Sequence, residues 1–152
     1  MNLKLRELIM NDVPIIASVY VKAYAEGDWN EKWDCEDAVQ RINEIASSPQ
    51  CKGGVCELEG RIVGCILFEI LTWHTGKQLE IKEIFVAPAF QRRGIGKRLL
   101  EYAETCGSKV GTSEMFLWTN KSKKLIDFYS KVGYCEDTKT IQLIKNKMEV
   151  VK

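Results

Sequence analysis

The stretch Ile84-Phe85-Val86-Ala87-Pro88-Ala89-Phe90-Gln91-Arg92-Arg93-Gly94-Ile95-Gly96-Lys97 decides how this chain is read. It begins as an apolar strand and breaks at Pro88, which has no N–H for a sheet ladder. Beyond the break, Ile95, Leu99, Leu100 and Ala103 recur at helical spacing, so the two glycines stand where a helix begins. There the first N–H groups have no intrahelical acceptor and the helix dipole adds positive charge. An anion fits such a place, and positions without side chains let it approach the backbone. Arg92, Arg93 and Lys97 add formal positive charge, which makes a pyrophosphate the natural ligand. Two other glycine-loop readings fail. A dinucleotide fingerprint needs a glycine where Leu99 stands, and a nucleoside-triphosphate loop needs Gly-Lys-Ser/Thr after a four-residue spacer.

Working outward, the residues before this stretch change period twice. Leu3, Leu5 and the Leu8-Ile9 pair read as a strand, and Asn11-Asp12 before Pro14 is a helix start. Val13, Ile16, Ala17, Tyr20, Val21 and Tyr24 then form one apolar helical face, stopped by Gly27. A second amphipathic helix is expected over residues 36–46, after a loop rich in acidic and aromatic residues. From Gly54 the pattern becomes that of an antiparallel meander: strands at 55–58, 62–71 and 79–86, with turns at Glu59-Gly60 and near Thr75-Gly76-Lys77. On the other side, the helix opening at Gly94 runs to Gly107, a short strand covers 115–119, and a helix covers 123–132. Tyr134 onward reads as one or two closing strands. The order β-α-α-β-β-β-α-β-α-β(-β) is an α/β pattern with a mixed sheet.

Composition narrows the function classes. With 152 residues, 45% of them hydrophobic, the chain is sized for one domain over 1–152. Lys plus Arg number 22 against 21 acidic residues, so there is no whole-molecule field to draw nucleic acid or membrane, and the basic cluster at 92–98 lacks an accompanying aromatic stripe. The first residues alternate charged and apolar types, unlike a signal peptide or a span, and a cytoplasmic location is expected. Cys35, Cys51, Cys56, Cys65, Cys106 and Cys135 are then expected as reduced thiols. His74 is the single histidine and no C-x-x-C spacing occurs, so no metal site is expected. Nor is there a nucleophile motif that would support a covalent enzyme intermediate.

The loop pattern Gln91, Gly94, Gly96 resembles the Q/R-x-x-G-x-G/A signature of the GNAT superfamily of N-acetyltransferases. Ile84 to Pro88 looks like that family's fourth strand, and Phe128-Tyr129-Ser130-Lys131-Val132-Gly133-Tyr134 looks like its final-helix motif. The resemblance covers nearly the whole chain. It implies a mixed, mostly antiparallel central sheet flanked by helices, with splayed fourth and fifth strands. It also implies acetyl-CoA as donor: Ile84, Phe85 and Val86 would offer main-chain groups to the pantetheine arm, as a strand edge does to a peptide. Gln91, Arg92, Arg93, Gly94, Ile95, Gly96 and Lys97 would surround the pyrophosphate, while Asn120 and Ser122 would border the cofactor. A possible homodimer is a further implication.

Acetyl transfer needs a neutral amine, a donor to the developing oxyanion and a proton for the departing sulfur. The resemblance assigns the last role to Tyr129, against the alternative that it is a core aromatic. The oxyanion donor is expected in the main chain near Phe85 or Val86. For the base, Glu83 is preferred over Glu80. Strict alternation puts the two on opposite faces unless a bulge intervenes, and a water relay is the third option. Trp29 and Trp33, set among Glu26, Asp28, Glu31, Asp34, Glu36 and Asp37, line the acceptor side in the resembled family. Together with Glu80 they would hold a cationic small-molecule amine such as an aminoglycoside, polyamine or lysine-like group. The competing reading is a solvated acidic helix start with both tryptophans packed on the core. Trp73 and His74 are further candidates for the pocket rim. Alternatives to the enzyme are a non-catalytic acyl-CoA-binding module and, for the acceptor, a protein amine.

Overall fold

The computed structural model describes residues 2–146. Nine main elements follow one another: β1 (Leu3–Glu7), α1 (Val13–Ala25), α2 (Cys35–Ala46), β2 (Cys51–Leu58), β3 (Arg61–Trp73), β4 (Gly76–Val86), α3 (Ile95–Lys109), β5 (Thr112–Leu117) and α4 (Lys123–Lys131). The sheet order is β1-β2-β3-β4-β5, antiparallel except that β4 and β5 run parallel. This is the mixed, mostly antiparallel sheet flanked by helices that the sequence implied.

Strand alternation builds a core on each face. Cys65, Leu67 and Phe85 face α1 and α2, joining Ile16, Ala17, Tyr20, Ala38 and Ile42. Ile66, Phe68, Leu79 and Ile81 face α3 and meet Ile95, Leu99, Leu100 and Ala103. Asp34 caps α2 by accepting from the Glu36 N–H at 2.7 Å. Asp12 stands at the N-cap of α1, but its carboxylate takes the Ile9 N–H at 2.9 Å and pairs with Arg6 at 2.8 Å. Among the described residues no helix is long and apolar enough to cross a membrane. All six cysteines are free thiols.

Several boundaries differ from the sequence reading. The meander is longer: β2 begins at Cys51, through glycines that look like a loop, because Gly53 and Gly54 lie flat beneath Leu67 and Tyr102. A Cβ on Gly54 would fall 2.6 Å from the Tyr102 ring. β3 and β4 extend as a hairpin to Trp73 and Gly76. The expected closing strands do not form over 134–146, and all of residues 135–146 are exposed; the remainder of that expectation, 147–152, lies outside the described residues.

The β4–β5 ladder positions the site. Its pairing runs from Lys77↔Thr112 to Ile81↔Leu117 and then stops, while β4 continues to Val86 paired only with β3. The two strands part there, which is the splay expected of the fourth and fifth strands. Among the described residues no strand pairs with 82–86 on the β5 side, although the Ile84 carbonyl accepts from the Tyr24 hydroxyl at 3.4 Å.

Candidate functional site

The α3 entrance has the geometry of an anion cradle. Arg92 (φ 65) and Gly94 (φ 79) both adopt left-handed backbone around Arg93, the kind of turn in which backbone N–H groups can form an anion-binding concavity. No side chain caps α3, leaving its first-turn N–H groups available to a ligand. A Cβ built on Gly94 meets nothing within 4 Å, so that side of the loop is open. Gly96 differs from expectation in its reason: a Cβ there would lie 3.2 Å from the Phe128 ring, so its bareness serves the contact of α3 with α4. Gln91 donates to the Val86 carbonyl at 3.0 Å and holds the loop against the end of β4. Arg93 lies over the Phe90 ring at 5.4 Å, and Lys97 is 3.9 Å from Glu101.

From the splay, a cleft of about 470 Å³ opens toward α1 and α2. Tyr20, Tyr24, Trp29, Trp33, Trp118 and Tyr129 make its aromatic wall, and Glu31, Arg41, Glu80, Lys82 and Glu83 are its charged residues. The sequence candidates Ile84, Glu80, Glu83, Trp29, Trp33 and Tyr129 are therefore brought together. Trp73 and His74 are not. They lie against each other at the β3–β4 hairpin tip, ring centroids 5.3 Å apart and tilted by 52°.

Glu80 and Glu83 share this cleft because β4 is irregular. The pairing skips Lys82 between Phe68↔Ile81 and Leu67↔Glu83, so the strand changes parity and both carboxylates face the same side. Uniform alternation would have separated them. Glu80 accepts from the Lys82 ammonium at 3.3 Å. Glu83 is buried: its Oε1 accepts from Arg41 at 3.1 and 3.3 Å and from the Tyr20 hydroxyl at 3.4 Å, while Oε2 accepts from Tyr24 at 2.8 Å. Burial pushes the Glu83 carboxyl above its ordinary range, against the opposing pull of Tyr24 and Arg41. A carboxylate has about four lone-pair sites, and among the described residues Oε2 accepts one hydrogen bond, so it can accept from one more proton donor.

Tyr129 faces the cleft from α4, edge-on to Phe128 and Tyr134. Burial, and then the Tyr134 hydroxyl beside it, push its phenol up to about 12, so it carries its proton throughout the neutral range. The Tyr24 phenol is likewise raised, by burial and then by the Glu83 charge.

Asn120 and Ser122 hold a different relationship from the one expected. Asn120 donates to the Asp28 carbonyl at 3.2 Å, and the Ser122 hydroxyl donates to the Asp28 carboxylate at 3.0 Å while capping α4 through the Leu125 N–H. In this conformation both fasten the α1–α2 loop rather than stand open to a ligand. The acidic loop is correspondingly less free than its composition implies. Asp28 is tied to α4, Asp34 caps α2, and Glu31 accepts the Trp33 indole N–H at 2.8 Å. Of these carboxylates Glu31 alone lines the cleft.

Sequence reasoning missed Tyr20, Tyr24, Arg41 and Trp118 as site residues. The tyrosines are indistinguishable from core positions on the α1 face. Arg41 had a signal, since it interrupts the α2 stripe of Ala38, Ile42 and Ile45 with a charge.

Comparison with known proteins places the chain in a family. Residues 17–134 match the profile of the acetyltransferase (GNAT) family. An uncharacterized N-acetyltransferase of Methanocaldococcus jannaschii is 33% identical over 97% of this chain and 66% of its own length. One from Chlorobaculum tepidum is 33% identical over 54% of this chain and 48% of its own length. The chain thus spans less than two thirds of either relative. Among solved structures, a possible acetyltransferase from Clostridium difficile 630 superposes with a TM-score of 0.76 at 19% identity, covering 99% of both chains. An aminoglycoside acetyltransferase from an uncultured soil metagenomic sample superposes with a TM-score of 0.74 at 20% identity, over 96% of this chain and 97% of that one. At those identities the superpositions show a shared fold, and with the sequence profile they establish that this chain belongs to the GNAT family of acetyltransferases.

Proposed function

We propose that this chain transfers an acetyl group from acetyl-CoA to a primary amine held in the aromatic cleft, by direct attack with both substrates bound. One observation carries the reading: the edge of β4 at 82–86, which β5 leaves unpaired, leads from the glycine turn at α3 into a cleft holding both a buried carboxylate and a protonated phenol. The donor supplies an activated thioester. Residues 84–86 offer it a strand edge, Gln91 braces that edge, and residues 92–97 face its phosphates. CoA-bound complexes of a related fold, an aminoglycoside acetyltransferase at 16% identity, fit the same expectation.

Within the cleft, Glu83 takes the proton of the attacking amine through the open position on Oε2, directly or by one water. Tyr20, Tyr24 and Arg41 keep the carboxylate from turning. A main-chain N–H near Phe85 or Val86 donates to the carbonyl oxygen as it gains charge. Tyr129 donates to the departing sulfur. Moving a proton from a phenol near 12 onto a free thiolate of ordinary pKa would be uphill by about 5 kcal/mol, so the Tyr129 donation must accompany C–S cleavage rather than precede it.

The acceptor is a cationic small-molecule amine. Glu31, Glu80 and Glu83 outnumber Arg41 and Lys82 in the cleft, and each of those cations is already paired with a carboxylate. The indole and phenol faces suit an alkylammonium group. The test is thiol release from acetyl-CoA at low and high salt. Added salt should raise KM more for polyamines and aminoglycosides than for an amine without further charge. Equal sensitivity removes the cationic-acceptor reading.

A further inference from the structure

The Tyr24 hydroxyl stands between the buried carboxylate and the strand edge. Its oxygen is 2.8 Å from Glu83 Oε2 and 3.4 Å from the Ile84 carbonyl, and both of these are acceptors. A phenol has one proton to give, so the two compete for it. The ring cannot move to serve either better. Tyr24 is buried, with its ring centroid 4.5 Å from that of Tyr20, 5.2 Å from Trp29 and 6.2 Å from Phe85, which leaves rotation of the O–H bond as the remaining freedom. Burial, and then the Glu83 charge, keep the phenol protonated, so that proton is always there to be shared.

The Ile84 carbonyl belongs to the edge of β4 that β5 leaves unpaired. Ala87 donates its N–H to the Val63 carbonyl at 2.8 Å, and alternation along the ladder then turns the main-chain groups of Phe85 toward β3 and those of Ile84 and Val86 away from it. Of the two outward carbonyls, that of Val86 is taken by Gln91 at 3.0 Å, while that of Ile84 is held, among the described residues, by the longer Tyr24 contact. The acceptor that this edge can still offer to an amide N–H is therefore the one Tyr24 reaches.

The state of Glu83 decides where the hydroxyl points. As a carboxylate it is the stronger acceptor and draws the O–H to itself, which is the arrangement that the two distances describe. Once protonated it holds the hydroxyl less, and the O–H turns toward Ile84. The charged and titratable groups around Glu83 are Tyr20 on α1, Arg41 on α2, Cys65 on β3, Glu80 and Lys82 on β4, Glu31 in the α1–α2 loop and Tyr129 on α4. Tyr20 and Arg41 also donate to Glu83, but to Oε1; among the described residues Tyr24 alone bridges the carboxylate to the Ile84 carbonyl.

We propose that Tyr24 is a positioning residue that couples the donor's seat to the base, leaving the Ile84 carbonyl to a pantetheine amide when Glu83 is ionised and reclaiming it when Glu83 is protonated. The proposal rests on the acetyl-transfer reading and extends it. Linkage is reciprocal, so a donor seated on Ile84 favours the carboxylate, the form that can take the proton of an amine. The coupling is that of one hydrogen bond to a carbonyl with a second lone pair to spare, roughly three- to tenfold in affinity.

Calorimetry of acetyl-CoA binding to the wild type, Tyr24→Phe and Glu83→Gln from about pH 5 to 8 tests it. Titration of the ligand's own phosphate is common to all three proteins and cancels in their ratios. Wild-type affinity relative to Glu83→Gln should rise about three- to tenfold as pH climbs through the raised Glu83 pKa. Tyr24→Phe, which keeps the ring contacts but cannot reclaim the carbonyl, should show no such rise. It should also move the acidic limb of kcat/KM for the acceptor to higher pH, because the O–H it lacks holds the Glu83 carboxyl down. A wild type whose binding follows the same pH dependence as Tyr24→Phe overturns the coupling alone. A wild type that binds no acetyl-CoA at any pH overturns the acetyl-transfer reading and the coupling with it.

Discussion

Glu83→Gln separates a catalytic carboxylate from a structural one. Glutamine keeps an oxygen for the Tyr24 hydroxyl, so the 2.8 Å hydrogen bond survives. What is lost is the charge facing Arg41, whose side chain is 43% exposed and can turn into water. A half-exposed pair of this kind contributes about 1 kcal/mol or less, and removing a buried charge offsets part of that. The melting temperature should therefore move by only about 2–4 °C. Loss of a positioned base costs about 10²- to 10⁴-fold in kcat, equivalent to about 3–5 kcal/mol, far more than the folding change can explain. The pH dependence gives a second readout. Because the folded pKa of Glu83 is raised, its contribution to stability is fully present below the ordinary glutamate pKa and is lost as pH rises through the folded value. Activity runs the opposite way, appearing as the carboxyl ionises. In Glu83→Gln that fall in stability and that acidic limb of kcat/KM should both vanish. Thiol-release kinetics and thermal melts across pH decide the matter: a variant with kcat within threefold of wild type would make Glu83 a brace for Tyr20, Tyr24 and Arg41, and leave the base to Glu80 or water.

Tyr129→Phe keeps the ring contacts with Phe128 and Tyr134 and should lower kcat by about ten- to a thousandfold, with acetyl-CoA affinity unchanged by calorimetry. Gly94→Glu should fold, because its side chain enters open space at a backbone strain of about 1–2 kcal/mol, yet lower acetyl-CoA affinity at least a hundredfold by placing like charge in the cradle. Glu31→Gln should raise the acceptor KM about two- to fivefold without altering that for acetyl-CoA, a loss that disappears in high salt. Asp12→Asn should destabilise the fold by about 1–2 kcal/mol in urea titration, since it breaks the half-buried pair with Arg6, which keeps Glu57 as a partner. The Arg6 guanidinium lowers the Asp12 carboxyl, so the wild-type advantage is present above the ordinary aspartate pKa and fades as pH falls through the folded value.

The parts of this molecule legible in its sequence are those where local chemistry and tertiary structure agree. Pro88 and Gly94 mark a strand end and a helix start on conformational grounds alone, and the apolar run over 62–71 reads as a strand that falls within the observed β3. The missing information is of other kinds. That Glu80 and Glu83 share a face depends on one unpaired residue, Lys82, and nothing in the sequence around it distinguishes a bulge from regular strand. Asp28 lies far along the chain from Asn120 and Ser122, so its hydrogen bonds to them, which occupy side chains expected to border the cofactor, arise from the fold. Gly96 was expected to clear space for the pyrophosphate, whereas in the fold a Cβ there would crowd the Phe128 ring.

The most direct test of acetyl transfer follows the acetyl group itself. The protein is incubated with acetyl-CoA labelled in the acetyl carbons and a panel of polyamines, aminoglycosides and lysine derivatives, and mass spectrometry locates the label with time. Direct transfer predicts label on the amine nitrogen of at least one acceptor, none on the protein, and a slower appearance with Tyr129→Phe. Label that stays on acetyl-CoA, or that appears only as acetate at a rate indifferent to every amine while the cofactor is bound, would contradict it and leave an acyl-CoA-binding module in place of an acetyltransferase.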